Sequence, residues 1–253
     1  MNPVRVVTYN IHKGVRGTRW SPRVELHNLA LAMSEFDADL IALQEARHAV
    51  SAATPGVSSR HLDSNQSQSQ AHFLAPLGYE VVYQTNAITQ SGEHGNALLT
   101  RWPVVRHQHH DVSDHRLEQR GLLHVEVRCH DQALHVIVVH LGLLPGSRRR
   151  QVALLRDFIH REIPDDQAVI VAGDFNDWGP MARRLLGHSG FLSPEPVKTF
   201  PSRWPVAALD QVLARRLKPL SASAPKGKVW HRMSDHLPLI ADWAWPRQRQ
   251  SHG

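Results

Sequence analysis

Cysteine is almost missing from this chain: Cys129 stands alone among 253 residues. No disulfide can close within it, so stability must come from a buried apolar core, and a reducing, cytoplasmic setting is the expected environment. Long hydrophobic runs are missing as well. No stretch approaches the roughly 20 apolar residues that span a bilayer. The opening Met1-Asn2-Pro3-Val4-Arg5 runs straight into a strand pattern, without the apolar region of a secretory signal. There are 19 histidines, yet none falls in a His-Glu-x-x-His spacing, which removes the usual helical zinc hydrolase. Ser234, Asp235 and His236 are consecutive, an order that excludes a serine-esterase triad built from them, because the base must stand between the other two. Negative charge is in deficit, with 29 Lys+Arg against 23 Asp+Glu and a net charge of +6. That surplus favours anionic partners such as nucleic acid, phospholipid or phosphorylated metabolites, and is silent about fold.

What is present is a succession of short apolar runs rich in β-branched residues. Val4 to Tyr9, Leu40 to Leu43, Tyr79 to Tyr83, Ala97 to Thr100, Leu122 to Val127, Leu134 to Val139 and Ala168 to Ala172 read as strands. Their unbroken apolar character predicts strands buried on both faces. Pro22 to Ser34 reads as a helix with Ser21 as N-cap, and Ser147 to Ile163 as a second, stopped by Pro164. A third, short helix is expected near Pro180. Strands outnumber helices and come in two groups, which predicts an α/β sandwich of two mixed sheets rather than a doubly wound parallel sheet. Residues 51–70 carry Ser, Gln, Pro and Gly and read as a mobile loop; 1–245 is expected to form one domain and 246–253 a frayed tail.

Polar residues close the most hydrophobic of these runs. Val6-Val7-Thr8-Tyr9 ends at Asn10, Leu40-Ile41-Ala42-Leu43 at Gln44-Glu45, Val136-Ile137-Val138-Val139 at His140, and Val169-Ile170-Val171-Ala172-Gly173 at Asp174-Phe175-Asn176. Asp210 opens another apolar run, and Ser234-Asp235-His236 precedes a further one. Strand ends hold side chains rigidly at a cleft rim, where ligand and catalytic groups gather. Glu45, Asp174, Asn176, Asp210 and Asp235 are hard oxygen donors, suited to Mg²⁺ or Mn²⁺ rather than to a soft zinc cage. Oxygen-bound magnesium serves phosphate substrates, and histidine beside the acids supplies acid/base chemistry or a donor to a developing phosphorane.

The set Tyr9-Asn10-Ile11, Gln44-Glu45, His140-Leu141, Gly173-Asp174-Phe175-Asn176, Leu209-Asp210 and Ser234-Asp235-His236 resembles the endonuclease/exonuclease/phosphatase (DNase I-like) superfamily, motif by motif and in order. The resemblance implies a four-layer α/β sandwich of two packed mixed sheets flanked by helices, with the active site at one end. It implies Glu45 as principal ligand of Mg²⁺ or Mn²⁺, with Asn10 and Asp235 on metal or phosphate. Asp174 would orient or deprotonate the attacking water with Asn176; Asp210 would fix His236; His140 would donate to phosphate or leaving group. Tyr-Asn-Ile-His-Lys-Gly is similar to a bacterial branch, and His12 stands where many nucleases of the family carry Asp, which weakens the case for a second metal. His12, Asn96, Arg120 and Arg148 are the secondary, substrate-binding candidates. The implied reaction is hydrolysis of a phosphodiester, nucleic acid or lipid headgroup; the alternatives are a phosphomonoesterase and a non-enzymatic basic nucleic-acid-binding module. The latter predicts a missing catalytic carboxylate, and none is missing.

Overall fold

The computed structural model describes residues 3–16, 23–47, 69–89, 92–115 and 118–246. The chain opens with β1 (Val4–Asn10), a short hairpin of β2 (Val15–Arg16) and β3 (Arg23–Val24), α1 (Leu26–Glu35) and β4 (Leu40–Arg47). It continues through α2 (Gln70–Leu74), β5 (Glu80–Thr89), β6 (Gly92–Thr100), β7 (Val104–Asp111), β8 (Gly121–Cys129) and β9 (Gln132–His140). Then come α3 (Pro145–Glu162), β10 (Ala168–Asp174), α4 (Met181–Gly187), β11 (Asp210–Arg215), β12 (Lys218–Ser223) and β13 (Leu239–Ala244).

Two sheets form, ordered β12-β13-β1-β4-β6-β5 and β11-β10-β9-β8-β7. Each is mixed: β1 runs parallel to β4 and β9 parallel to β10, while their other neighbours are antiparallel. The unbroken apolar strands explain the layering, because each buries both faces. In β1, Val6 points between the sheets with Leu40, Leu98, Val136 and Ile170, while Val7 and Tyr9 point outward under Leu29 and Met33 of α1. On the second sheet, Val139 and Val171 pack beneath Val152, Leu155 and Phe158 of α3 and Ala182 and Leu186 of α4. Three cores between four layers make this an α/β sandwich, as expected. Among the described residues, no helix is long and apolar enough to cross a membrane.

Some local expectations need correction. The first helix starts at Leu26 rather than Pro22, because Arg23–Val24 pairs with Val15–Arg16 as a strand; Ser21 and Pro22 lie outside the described residues. The helix expected at Ser147 starts two residues earlier, with Pro145 in its first turn. Most of the 51–70 segment and all of 247–253 lie outside the described residues. Its last residue, Gln70, opens α2, and its side chain bonds the Arg47 amide and the Lys13 carbonyl. Trp243 is fully buried and Trp245 packs on the inter-sheet core, so both are packing residues. Burial pushes the Cys129 thiol up to about 12, leaving it inert.

A buried polar chain crosses the second sheet. Gln108 Nε2 lies 3.1 Å from His124 Nδ1, His124 Nε2 2.9 Å from His135 Nδ1, and His135 Nε2 2.5 Å from Gln167 Oε1. Each imidazole accepts once and donates once, so both are neutral. Burial, and the proximity of His135, depresses His124 to about 3; burial lowers His135 as well. A histidine whose folded pKa lies below its unfolded value binds fewer protons folded than unfolded. Stability from these two is therefore complete above about pH 6.5 and falls with pH below it. Between pH 7 and pH 5, urea denaturation should register a loss approaching about 2 kcal/mol for His124. A His124→Gln variant should show a shallower pH slope; an unchanged slope would remove the buried pair as the source.

Candidate active site

Strand register assembles the centre. Asp174 ends β10, where the parallel ladder sets it opposite His140 and the antiparallel ladder opposite Asp210. Three chemistry-bearing residues thus share one row across adjacent strands. In the other sheet, Asn10 ends β1 opposite Gln44 of β4. The next residue, Glu45, has φ +58°, and the β4–β6 register shifts between Leu43 and Ala46. Such a bulge re-aims a side chain, here toward the end of the sandwich. Asn176 also takes a left-handed backbone, φ +49°, just past β10. Gly173 is required sterically: a Cβ there would sit 1.9 Å from the Val139 carbonyl oxygen.

The two sheets meet through Asn10. Its Nδ2 donates to Asp174 Oδ2 at 3.1 Å and to Glu45 Oε1 at 3.4 Å, and its Oδ1 accepts the His12 amide at 3.1 Å. Asp174 Oδ1 accepts the Asn176 amide at 2.8 Å. Asn176 Nδ2 donates to the Leu141 carbonyl at 2.9 Å, which leaves its Oδ1 as the acceptor available to a ligand. His236 Nδ1 donates to Asp210 Oδ2 at 2.8 Å, and its Nε2 stands 3.7 Å from Asp174 Oδ2. His140 Nε2 lies 3.8 Å from that same oxygen.

Electrostatics then separates the two histidines. Burial works against the charged form of His236, but the charge and hydrogen bond of Asp210, with the charges of Asp174 and Asp235, lift it to about 10. At His140 burial prevails, and with the charges of Arg120, His236 and His94 it presses the imidazole well below its ordinary value, so it is neutral. Burial, reinforced by the Asp210 charge, raises Asp174 against the opposing pull of His236. One imidazolium and one neutral imidazole therefore face the same buried carboxylate.

The donor set suits a hard divalent cation. Glu45, Asp174, Asp210 and Asp235 gather here with Asn10, an accumulation of oxygen and negative charge that favours such an ion. Ligand atoms of Asp174, Asp210 and His236 lie within 4.8 Å of one another. Within that trio Asp210 and His236 form a hydrogen-bonded relay, since Asp210 Oδ2 is taken by His236 Nδ1 and by Thr199 Oγ1 at 2.5 Å. Glu45 and Asp235 lie on the open side. His12 Nδ1 stands between them, 3.9 Å from Glu45 Oε2 and 3.6 Å from Asp235 Oδ1, with its side chain 49% exposed.

The secondary candidates divide. His12 is at the rim. Arg120 borders an open cavity of about 380 Å³ with His94, His115, Leu143 and Leu144, and pairs with Glu118 at 3.1 Å. Arg148 and Asn96, the other two substrate-binding candidates, are both buried. The Arg148 guanidinium is buried against the Gly142 and Leu143 carbonyls and pins the loop after His140. Asn96 is fully buried, its Nδ2 tying the sheets through the Gly121 and Val138 carbonyls at 3.0 and 3.2 Å.

Sequence reading passed over two residues that hold the relay. Thr199 donates to Asp210, and Ser234 Oγ donates to the Asn10 carbonyl at 2.7 Å, joining sequence positions 224 residues apart. Ser234 at least belongs to a motif; Thr199 carries no pattern in its surroundings.

Both the sequence and the fold have known relatives. The family model for the Endonuclease/Exonuclease/phosphatase family matches residues 7–236. The uncharacterized protein YbhP of Escherichia coli (strain K12) is 36% identical over 251 residues, covering 94% of this chain and 95% of that protein. Among solved structures, the human Nocturnin catalytic domain with bound sulfate anion is similar at TM-score 0.73 and 21% identity, over 97% of this chain and 94% of that one. D. rerio TDP2 complexed with single strand DNA product is similar at TM-score 0.68 and 16% identity, over 95% and 98%.

Proposed function

The chain belongs to the endonuclease/exonuclease/phosphatase family, and from that premise we propose that it hydrolyses a phosphodiester by in-line attack of water with the aid of a divalent metal. One observation carries the reading: side chains from the ends of β1, β4, β9, β10 and β11 and from the Ser234–His236 loop converge on Asp174 or its immediate partners. No packing requirement gathers so many buried ionisable groups, and pairs whose environments drive their pKa values apart mark acid/base centres.

Glu45, with Asn10 and Asp235, would hold Mg²⁺ or Mn²⁺, and the bound ion would supply Lewis-acid polarisation and neutralise phosphate charge. The chain's own residues do the rest. Asp174, with its raised pKa, is a stronger base than an ordinary carboxylate and takes the proton of the attacking water, which Asn176 Oδ1 orients as acceptor. His236, held cationic by Asp210, presents Nε2–H to the developing phosphorane. Neutral His140 donates to phosphate or leaving-group oxygen. The sulfate on the Nocturnin domain and the DNA product on TDP2 support an anionic phosphoester as ligand in this fold.

A metal-dependent screen over plasmid DNA, short RNA, lysophospholipids, sphingomyelin and bis-p-nitrophenyl phosphate tests the proposal. EDTA should abolish turnover, and Mg²⁺ or Mn²⁺ should restore it better than Zn²⁺. Glu45→Gln should raise the metal concentration for half-maximal rate. Metal-independent turnover would refute the reading, and an unchanged requirement in that variant would remove Glu45 as ligand.

A further inference from the structure

Exposed tryptophan is unusual on a protein surface, and here two such rings stand on segments that adjoin the catalytic centre. Trp178 is 67% exposed and Trp204 70% exposed. Trp178 is linked to the centre through rings: Phe200 lies 4.8 Å from the His236 imidazole, and Trp178 meets Phe200 edge-on at 6.2 Å; Trp204 follows Phe200 on the same segment. Arg203 lays its guanidinium over Trp204, 4.9 Å from the ring centroid.

Neither tryptophan sits on loose backbone. Trp178 occupies a turn held by Asp177, whose Oδ1 accepts the Gly179 amide at 3.3 Å and Oδ2 the Ala182 amide at 2.8 Å. The 199–207 segment that carries Phe200, Arg203 and Trp204 is bound to the catalytic loop. Leu237 N donates to the Thr199 carbonyl at 2.9 Å, Ser202 N to the Asp235 carbonyl at 2.6 Å, and Ser202 Oγ to the Ser234 carbonyl at 2.8 Å. Thr199 Oγ1 on Asp210 completes the attachment. Exposed rings on anchored backbone lie outside the fold's core, yet they give contact area at low entropic cost to a ligand.

We propose that Trp178, Phe200 and Trp204 with Arg203 form a stacking platform for the bases of a single-stranded nucleic acid whose phosphodiester lies at the Asp174–His236 centre. This rests on the phosphodiesterase reading above and names its substrate class. Stacking on exposed rings beside a cationic guanidinium is the general mode of single-strand binding and tolerates any base, because every base has a π-face. The chain's net charge of +6 complements the backbone. A lipid would need an aliphatic groove for its chain, whereas this side of the centre is walled by planar rings.

The test is binding, measured with EDTA present so that nothing is cleaved: fluorescence anisotropy of a labelled 12-nucleotide oligo-dT. Trp178→Ala and Trp204→Ala should each weaken binding roughly 5- to 100-fold, the loss typical of one stacked base. Trp→Phe should retain most of the affinity, and Trp→Leu, which keeps apolar area without a π-face, should not. Thermal midpoints should stay at the wild-type value in all of these. Unchanged oligonucleotide affinity in both alanine variants overturns the platform. So does loss of binding to phosphatidylserine-containing vesicles in place of oligonucleotide, which would make the rings a membrane anchor. Failure of the wild-type chain to hydrolyse bis-p-nitrophenyl phosphate with any metal, while oligonucleotide binding still depends on the tryptophans, would instead refute the hydrolase reading and leave the platform standing.

Discussion

Asp210→Asn and His236→Ala are expected to lose nearly the same turnover, and the double variant to be scarcely worse than either alone. Residues that act as a unit are non-additive, because removing one already disables the other. The structural reason is the 2.8 Å bond from His236 Nδ1 to Asp210 Oδ2, which fixes the tautomer and lifts the histidine's pKa. Asparagine keeps the shape and discards the charge, so His236 should fall back toward neutrality and lose its role as a charged donor. Asp174→Asn should damage by a separate route, through the proton of the attacking water; about 10²- to 10⁴-fold is typical of such a group. Combined with Asp210→Asn, its loss should therefore multiply more nearly than that of the dyad. Turnover of bis-p-nitrophenyl phosphate at saturating Mg²⁺, with thermal midpoints as a control on folding, decides the matter. Fully multiplicative losses at Asp210 and His236 would refute the dyad, and near-normal turnover of Asp174→Asn would refute its role as base.

Gly173→Ala should severely damage the fold itself. The added Cβ would meet the Val139 carbonyl oxygen at 1.9 Å and its carbonyl carbon at 2.8 Å, and backbone at the centre of a buried sheet cannot turn aside as a side chain can. Separating β9 from β10 would break the ladder that holds His140 opposite Asp174. A loss of about 4 kcal/mol or more is expected, a large part of the roughly 5–15 kcal/mol that keeps a domain folded. Gly190 is the control: its φ is +79° but nothing lies within 4 Å of an added Cβ, so alanine there should cost only about 1–2 kcal/mol of backbone strain. Urea midpoints for the two variants should differ widely. Similar midpoints would show that the strands can part without penalty.

Much of this protein can be read along the chain because its information is local. Apolar runs such as Val136–Val139 and Val169–Ala172 mark strands buried on both faces, and polar residues at their ends mark the rim. Asn10, Glu45, His140, Asp174, Asn176, Asp210 and His236 all stand out that way, since a polar group closing an apolar strand has no packing purpose. Pairing register, by contrast, is a property of two strands, so it is the ladders that set His140 and Asp210 on either side of Asp174.

Side-chain destiny is the other thing that sequence leaves open. Arg148 reads as a cation free for phosphate, but burial beneath its own loop gives it two carbonyls to satisfy. Asn96 reads as a polar strand residue facing the cleft, but the close approach of the sheets turns it to Gly121 and Val138. Thr199 and the ring chain from His236 to Trp178 have no periodicity, because contacts made by irregular segments follow from where the sheets carry their ends. The sequence by itself determined the layers and the identity of the groups at the rim, since both depend on burial and chemical type. Only the tertiary structure decided which of those groups touch, which are charged, and which aromatic rings remain in water, because each depends on neighbours brought from distant parts of the chain.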